Sequence, residues 1–393
     1  MVRKVLVPVM AVMVLLAVAR PAEATVTPGK VGLVSIYAAT TSSLTLRWPH
    51  VSYATKYEVL VATNEGMTNA SVRSAGNNTT YRVTGLTKGK IYCFAVRARN
   101  GTKVGSRSSH TCKEPIRQQG ATTGANYGIV TYNLCSEKCS NWSGRSAGAV
   151  KLIIGQNPDI VALQEAGSLT SIPGYTNTTY KSAKRLMYRT SRFAVATTDC
   201  SDDQTGQCEP TPRTGFIQLS GFCQVSTDCG SDKYAVWAEL IDRNSADKHV
   251  IFVSVHTTPG KTYAAAWTRK HEIERLLRAM TSINTGGVPV VYAGDFNSHR
   301  NRPNDYLASV FHAAGYWDSF ELSRLLTRPN YNSYNGFSKT PIISRTWGDH
   351  VDHVWVKPAI GVRSWTSVGT LSGGKYVTLP SDHNPVGVKI TIP

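Results

Sequence analysis

Residues 290–297 read VVYAGDFN, an apolar run of strand-forming residues that stops at an aspartate and an asparagine. Valine and tyrosine in an uninterrupted run are typical of a strand buried on both faces. Asp295 and Asn297 therefore stand where this strand ends. In layered α/β proteins the loops after the strands build the functional site, so the stretch predicts an α/β core with polar chemistry at its edge.

The same pattern recurs elsewhere along the chain. Apolar runs end, or begin, with polar residues in TYNL (131–134), IVALQE (160–165), SVHT (254–257), DHVWV (352–356) and SDHNPV (381–386). One such residue could be an ordinary turn residue. Repetition at six places indicates a shared site instead, formed by Asn133, Glu165, His256, Asp295, Asn297, Asp352, Asp382 and His383.

The residue types of this set indicate phosphoester chemistry. Glu165, Asp295 and Asp382 are hard oxygen donors, which suit Mg²⁺, Mn²⁺ or Ca²⁺ better than zinc. Histidines move protons near neutral pH, and asparagine amides donate hydrogen bonds to anions. Together these groups suit the attack of water on a phosphorus centre.

The motifs TYNL, IVALQE, SVHT, AGDFNS, VDHVWV and SDHNPV, in this order, resemble the endonuclease/exonuclease/phosphatase (deoxyribonuclease I-like) family over about residues 125–393. The resemblance implies an α/β four-layered sandwich, in which two mainly antiparallel sheets pack between outer helices. It also implies a divalent cation, Mg²⁺ with Mn²⁺ or Ca²⁺ as alternatives, held by Glu165 with Asn133 and Asp382.

The resemblance also implies the catalytic roles. Asp295 positions or polarises the attacking water, and Asn297 contacts the phosphate oxygens. His383, oriented by Asp352, is the implied general base. His256 is the implied phosphate binder, or the acid for the leaving oxygen. The nucleophile is water, without a covalent intermediate.

Two features of the family are missing here. Residues 166–198 contain no aspartate or glutamate, so the glutamate that orients the first histidine is absent and the partner of His256 stays open. The arginine that closely follows the QE motif is also absent, because Glu165 is followed by Ala166 and Gly167. Both departures weaken a specific prediction of double-stranded DNA cleavage and leave phosphoester hydrolysis in place.

Two further residues are candidates for binding substrate. Arg189 ends a strand in KSAKRLMYRTSRF and could contact phosphate. Trp347 could stack on a base or a headgroup, or simply cover the core.

Residues 28–113 have a different pattern of apolar and polar residues. SSLTLRW, KYEVLVAT and IYCFAVRARN alternate apolar and polar residues with period two, which predicts a small antiparallel sandwich. With TGLTKGKIYCFAVRA, the stretch resembles an all-β fibronectin type III domain, which implies an adhesion or spacing module. We expect a linker over 114–126 and the catalytic domain over 127–393.

The N-terminus predicts export. Arg3 and Lys4 precede an apolar run, and Ala22-Glu23-Ala24 is typical of a cleavage site, so residues 1–24 are interpreted as a signal peptide cut near Ala24. Eight cysteines in the remaining chain favour disulfides. Neighbour pairing is expected for Cys200 with Cys208, and Cys135 with Cys139 would close a loop beside the site.

The net charge of +18 favours an anionic partner. The sequence therefore predicts a secreted, monomeric, metal-dependent phosphodiesterase, foremost a nuclease acting on DNA or RNA. A sphingomyelinase-type enzyme acting on lipid phosphate is the alternative, for which NYNSYNGF (330–337) could supply apolar contacts. A non-catalytic adhesion protein that binds an anionic cell surface is the third hypothesis.

Overall fold

A computed structural model describes residues 26–198, 209–221 and 233–393. The predicted signal peptide lies outside the described residues. So does the predicted Cys200–Cys208 pair, together with Cys223 and Cys229. Within the described ranges, no helix is both long and apolar enough to cross a lipid bilayer.

The N-terminal unit is built from eight short strands. They are β1 (Ser35–Ala39), β2 (Ser43–Arg47), β3 (Lys56–Ala62), β4 (Ser71–Gly76), β5 (Thr80–Thr84), β6 (Tyr92–Asn100), β7 (Lys103–Val104) and β8 (Thr111–Lys113).

The larger unit mixes strands with four helices in the described part of the chain. Its first half contains β9 (Ala125–Asn133), α1 (Trp142–Ile154), β10 (Ile160–Gln164), β11 (Tyr175–Lys181), β12 (Lys184–Arg189), β13 (Phe193–Val195), β14 (Thr214–Gln218), β15 (Tyr234–Asp242), β16 (Lys248–His256) and α2 (Tyr263–Ile283). Its second half contains β17 (Val290–Asp295), α3 (Leu307–Ala313), β18 (Trp317–Asp318), α4 (Ser319–Leu322), β19 (Leu325–Thr327), β20 (Asp352–Val356), β21 (Gly361–Ser367), β22 (Leu371–Ser372), β23 (Lys375–Tyr376) and β24 (Val386–Ile392).

The N-terminal unit is the predicted β-sandwich. One layer is β1-β2-β5, and the other is β4-β3-β6-β7 with β8 on β6. The alternating residues point inward, so Leu44, Trp48 and Tyr57 are all buried in the core. A disulfide between Cys93 and Cys112 joins β6 to β8.

The larger unit has the four layers that the sequence predicts. One sheet has the order β11-β12-β10-β9-β24-β21-β19, and the other has the order β13-β15-β16-β17-β20-β18, with β14 on β15. The central strands β9, β10, β16, β17 and β20 are buried on both faces. In β9, Ile129 joins the core between the sheets while Val130 packs toward α1, and in β17 Val291 faces inward while Val290 packs toward α2.

The two units share a sheet. β19 pairs with β1 through Ala38 and Leu325, so the first sheet continues into the sandwich as ten strands of the described chain. The pairing satisfies backbone groups that a free edge strand would expose. The predicted linker over 114–126 is correspondingly not a loose spacer, because Glu114 and Ile116 are buried and β9 already begins at Ala125.

The strand register explains why distant motifs meet. β9 and β10 run parallel, as do β16 and β17, so each pair delivers its carboxyl-terminal ends to one edge of its sheet. His256 lies opposite Asp295, and Asp295 lies opposite Asp352 in the antiparallel neighbour β20. Both sheets therefore contribute polar residues to one cleft.

Candidate active site

Asp295 is the hub of this cleft. Its side chain is buried, with 1% of the residue exposed. Its Oδ2 accepts a hydrogen bond from Asn133 Nδ2 at 3.0 Å and lies 3.5 Å from His256 Nε2 and 3.8 Å from His383 Nε2. Oδ1 accepts the backbone N–H of Asn297 at 2.9 Å. Three residues from three other motifs, together with Asn297 of the same motif, thus surround one carboxylate.

His383 is oriented by Asp352. Its Nδ1 lies 2.8 Å from Asp352 Oδ2, and this carboxylate is fully buried. Nδ1–H donating to the carboxylate leaves Nε2 directed at Asp295. Burial of the ring lowers the pKa of His383, but the Asp352 and Asp295 carboxylates raise it more, to about 10.

The pKa values of Asp295 and His256 are also shifted, in ways that complement the shift of His383. Burial raises the pKa of Asp295, although the charge of His383 lowers it. Burial and the positive charges of Lys233 and Lys184 hold the pKa of His256 well below its usual range. At neutral pH the cleft therefore holds one neutral and one charged imidazole on either side of the same carboxylate.

The two asparagines are fixed by backbone contacts. Asn133 Oδ1 accepts the N–H of Cys135 at 3.0 Å, inside the loop that the predicted Cys135–Cys139 disulfide closes. Asn297 has a left-handed backbone, with φ of 52°, and its Nδ2 donates to the carbonyl of Thr257 at 3.1 Å. Left-handed backbone outside glycine is uncommon and is typical of functional sites.

The candidate metal ligands lie on the wall of the cleft. Glu165 also has a left-handed backbone, with φ of 47°, and its Oε1 lies 3.2 Å from Lys138 Nζ and 4.0 Å from His256 Nε2. Asp382 and Asn133 line the same cleft. These side chains offer the oxygen donors that suit a hard divalent cation. Asp295, Asp352 and His383 also have ligand atoms within 4.8 Å of one another, and the buried Asp352 Oδ1 has no hydrogen-bond partner in the described structure.

The cleft is open, and its lining carries four lysine or arginine side chains against four carboxylates. Its volume is about 610 Å³. Besides the residues above, its lining includes the cationic or titratable side chains Lys138, Lys233, Lys261, His299 and Arg302. A cavity of this size with convergent polar groups is typical of a small-molecule or substrate site.

The loop after His256 is held from behind by helix α2. The carboxylate of Glu272 accepts the N–H of Thr258 at 2.8 Å and its hydroxyl at 2.6 Å, and Arg269 donates to the carbonyl of Thr258 at 3.0 Å. Both α2 residues are buried. This support was not predicted from the sequence. Its only mark in the sequence is a pair of charged residues on the apolar face of an amphipathic helix.

Arg189 is not in the cleft, and the structure contradicts its predicted phosphate contact. β12 runs antiparallel to β10, so its last residue lies beside the first residues of β10, at the opposite end from Glu165. The Arg189 guanidinium is taken up by Asp159 at 3.4 Å and by the Asn157 side chain at 2.7 Å. A strand end marks a site only where its direction matches that of its neighbours.

Trp347 covers the core and does not line the cleft. It is buried, and the Arg300 guanidinium lies 3.7 Å from its ring centroid. One face of the indole is therefore already occupied, which leaves no platform for a base. Of the two predicted roles, the structure supports the packing role.

The layered fold and the carboxylate–histidine cleft define the class of protein as a hydrolase of the four-layered α/β sandwich type. The sequence model of the endonuclease/exonuclease/phosphatase family matches residues 130–383, and the chain belongs to that family of divalent-metal-dependent phosphoester hydrolases. The fibronectin type III domain model matches residues 29–112. No curated protein matches the chain in sequence.

Solved structures share the fold of the larger unit. An endonuclease/exonuclease/phosphatase from Bacteroides vulgatus is 18% identical, with a TM-score of 0.52, and the match covers 68% of this chain and 100% of that one. The mannosyl-6-phosphatase Bt3783 of Bacteroides thetaiotaomicron is also 18% identical, with a TM-score of 0.51 over the same shares. At this identity the similarity shows the fold alone.

Proposed function

We propose that this protein is a secreted, divalent-metal-dependent phosphodiesterase that cleaves nucleic acid with an activated water. The observation that carries the proposal is the grouping of Asn133, His256 and His383 around the buried Asp295 in an open cleft. Such a group can remove a proton from water and stabilise negative charge on a phosphoryl oxygen.

The proton steps follow from the facing atoms. Asp295 Oδ2 and His383 Nε2 lie 3.8 Å apart, so a water that contacts both can give its proton to the Asp295 carboxylate while the protonated His383 ring stabilises the hydroxide. Asp352 holds Nδ1 protonated and thereby keeps Nε2 aimed at that point. His256, on the other side of Asp295, is placed to interact with a phosphate or leaving oxygen, and the Asn133 amide holds Oδ2 in position.

Glu165, Asp382 and Asn133 would hold the cation. When bound, Mg²⁺ or Mn²⁺ neutralises phosphate oxygens and lowers the pKa values of neighbouring groups. We favour Mg²⁺ because the donor set is oxygen-only.

Charge favours nucleic acid as the substrate class. From residue 117 onward the chain has 28 Lys+Arg against 21 Asp+Glu, although the candidate site itself is acidic. Lysines and arginines in the cleft wall attract a polyanion and contact its phosphates without reading its sequence.

A lipid phosphodiester is the second candidate, because the cleft has an apolar rim. We use this term for Tyr334, Phe337, Ile342 and Ile343, which are all exposed large hydrophobic side chains in the described structure. Tyr334 and Ile342 also line the cleft. Exposed apolar residues near a site can mark a membrane contact.

The test is a substrate panel with Mg²⁺, Mn²⁺ or Ca²⁺ and an EDTA control. The panel contains plasmid DNA, RNA, sphingomyelin vesicles and a sugar phosphate. The proposal predicts turnover of DNA or RNA that EDTA and Asp295→Asn each abolish. Turnover of sphingomyelin alone would favour the lipid enzyme. No turnover of any substrate would favour the adhesion protein.

Export is part of the proposal. It is supported by the Arg3–Ala24 sequence pattern and by the two disulfides, which form in oxidising compartments. Sequencing the N-terminus of protein recovered from culture medium tests it. We expect the mature chain to begin near Thr25, and a chain that still begins at Met1 would contradict cleavage.

A further inference from the structure

Lys233 is a buried lysine in the wall of the cleft. It directly precedes β15, and only 8% of the residue is exposed. Ala235 pairs with Val255 in the antiparallel partner β16, so the register brings Lys233 to the strand end that carries His256. Its backbone carbonyl accepts the N–H of Leu219 at 2.8 Å, which fixes where the side chain starts.

The ammonium of Lys233 has no ion-pair partner among the described residues. Burial lowers the pKa of Lys233, while the charges of Glu272, Asp295 and Glu165 act in the opposite direction without forming a described ion pair with it. A buried charge without a paired anion is costly, and natural proteins rarely retain one without a ligand. The cleft onto which this lysine faces is where such an anion can bind.

Lys138 supplies a second ammonium from another part of the chain. It belongs to the loop closed by the Cys135–Cys139 disulfide, and its largely exposed Nζ lies 3.2 Å from Glu165 Oε1. Lys138 and Lys233 line the same cleft, and each contributes to the electrostatic field at His256. Two like charges that face one cavity are stabilised when an anion binds there.

Neither lysine is among the residues that face Asp295 Oδ2, although both lie within electrostatic reach of His256. No described ion pair joins either of them to Asp295, whose Oδ2 is instead faced by His256 and His383. An anion bound by these two lysines would lie beside a phosphate held at Asp295. A choline headgroup would be repelled here, because it carries a positive charge beside a single phosphate.

We infer that Lys233 and Lys138 form a subsite for a second phosphate group, so that the preferred substrate is an oligonucleotide phosphodiester with a phosphate flanking the scissile bond. The inference rests on the proposed function and deepens it. Charge-assisted hydrogen bonds of this kind strengthen binding by about tenfold to a hundredfold.

The experiment measures binding, so it does not depend on turnover. Affinities for the dinucleotides TpT, pTpT and TpTp are determined by calorimetry in the inactive Asp295→Asn background with Mg²⁺. We expect at least one added phosphate to strengthen binding about tenfold or more. Lys233→Met and Lys138→Met should each reduce that gain severalfold, and Lys233→Arg should keep most of it.

Lys389→Met is the matched control, because Lys389 is an exposed lysine on β24 that does not line the cleft. It should leave the gain from the added phosphate intact. Equal affinity for all three dinucleotides, or a gain that survives both Lys233→Met and Lys138→Met, would overturn the subsite. If Lys233→Met fails to fold, Lys138→Met on its exposed loop still decides the question. Wild-type hydrolysis of DNA or RNA, measured separately, reports on the proposed function alone.

Discussion

The Nε2 atom of His383 lies 3.8 Å from Oδ2 of Asp295, while Nδ1 of the same ring lies 2.8 Å from Asp352. The ring therefore connects two buried carboxylates, of which only Asp295 lines the cleft. This arrangement makes Asp352 a positioning residue, which acts through His383, and it leads to the first prediction.

Asp352→Asn should lower kcat by about 10²–10⁴-fold, because the ring loses the carboxylate that sets its proton and orientation. The measurement is steady-state hydrolysis of the best substrate with its pH profile. Asp318→Asn is the matched control, since Asp318 pairs with His353 at 2.7 Å but lies outside the cleft lining. Both variants should lose stability, and only Asp352→Asn should lose turnover while folded. Equal losses of kcat would contradict the assigned role.

Glu272→Gln should reduce kcat/KM by about tenfold to a hundredfold, because the loop that follows His256 loses a charged acceptor. Glu272 binds Thr258 twice, at 2.8 and 2.6 Å. Glu274→Gln, on the partly exposed face of the same helix, should stay within about twofold of the wild type. If the two variants lose activity equally, the loop is held by something other than Glu272.

Arg300→Met should destabilise the whole chain by about 2–3 kcal/mol, because it removes the cation that two buried carboxylates share and leaves them only Arg117 and His312. Arg300 joins Glu114 at the end of the sandwich unit to Glu321 in the catalytic unit. The side chains of both glutamates are only 1–2% exposed. Arg117→Met also removes a partner of Glu114, but Arg117 is largely solvent-exposed. That change should cost less than about 1 kcal/mol.

Denaturant titration measures both variants of this interface. Because β1 and β19 share a sheet, the wild type should unfold in one transition, and Arg300→Met should unfold in one transition at lower denaturant. Two separated transitions in the wild type would show that the units are independent.

The free energy of unfolding should be greatest near pH 6.5, because two buried histidines are shifted in opposite directions. Burial lowers the pKa of His350 to about 3, so the unfolded chain binds an extra proton below pH 6.5 and stability falls as pH decreases. The His353 ring donates to Asp318 and to the Ser298 carbonyl, and despite burial its pKa is raised to about 9. Stability from that pair is present below pH 6.5 and is lost as pH rises through about 9.

Each histidine contributes a slope of about 1.4 kcal/mol per pH unit in its window. His350→Phe tests the acid side, since His350 packs against Trp365 at 4.4 Å and an aromatic ring keeps that contact. Urea titrations between pH 4 and 9 should show a shallower acid slope in His350→Phe and an unchanged alkaline slope. An unchanged acid slope would mean that His350 is not the group that titrates.

The layers and most of the site could be predicted from the sequence, because polar residues at the ends of apolar runs report both a strand and its end. Asp295 and His256 are examples, since their strands run parallel and end together. The position of Arg189 could not be predicted in this way, because its strand runs antiparallel to β10. An apolar run in the sequence does not show whether its strand will be parallel or antiparallel to the neighbouring strands. The place of Lys233 in the cleft could not be predicted either, because this residue precedes a strand instead of following one.

The pairing of β1 with β19 could not be predicted from the sequence either. Two edge strands pair through backbone groups, which hardly differ between residue types, so no side-chain pattern predicts this pairing. The fibronectin type III module is consequently part of the catalytic unit's sheet. In addition, the N–H of Cys112 donates to the Arg345 carbonyl at 3.0 Å, near the segment that leads to Asp352.

The most direct test of the account is calorimetric titration of the EDTA-treated protein with Mg²⁺. The account predicts saturable binding that Glu165→Gln weakens by about tenfold or more, and that Glu137→Gln, an exposed glutamate in the neighbouring loop, leaves unchanged. Absence of binding in the wild type, or equal affinity in Glu165→Gln and the wild type, would contradict a cation site in this cleft.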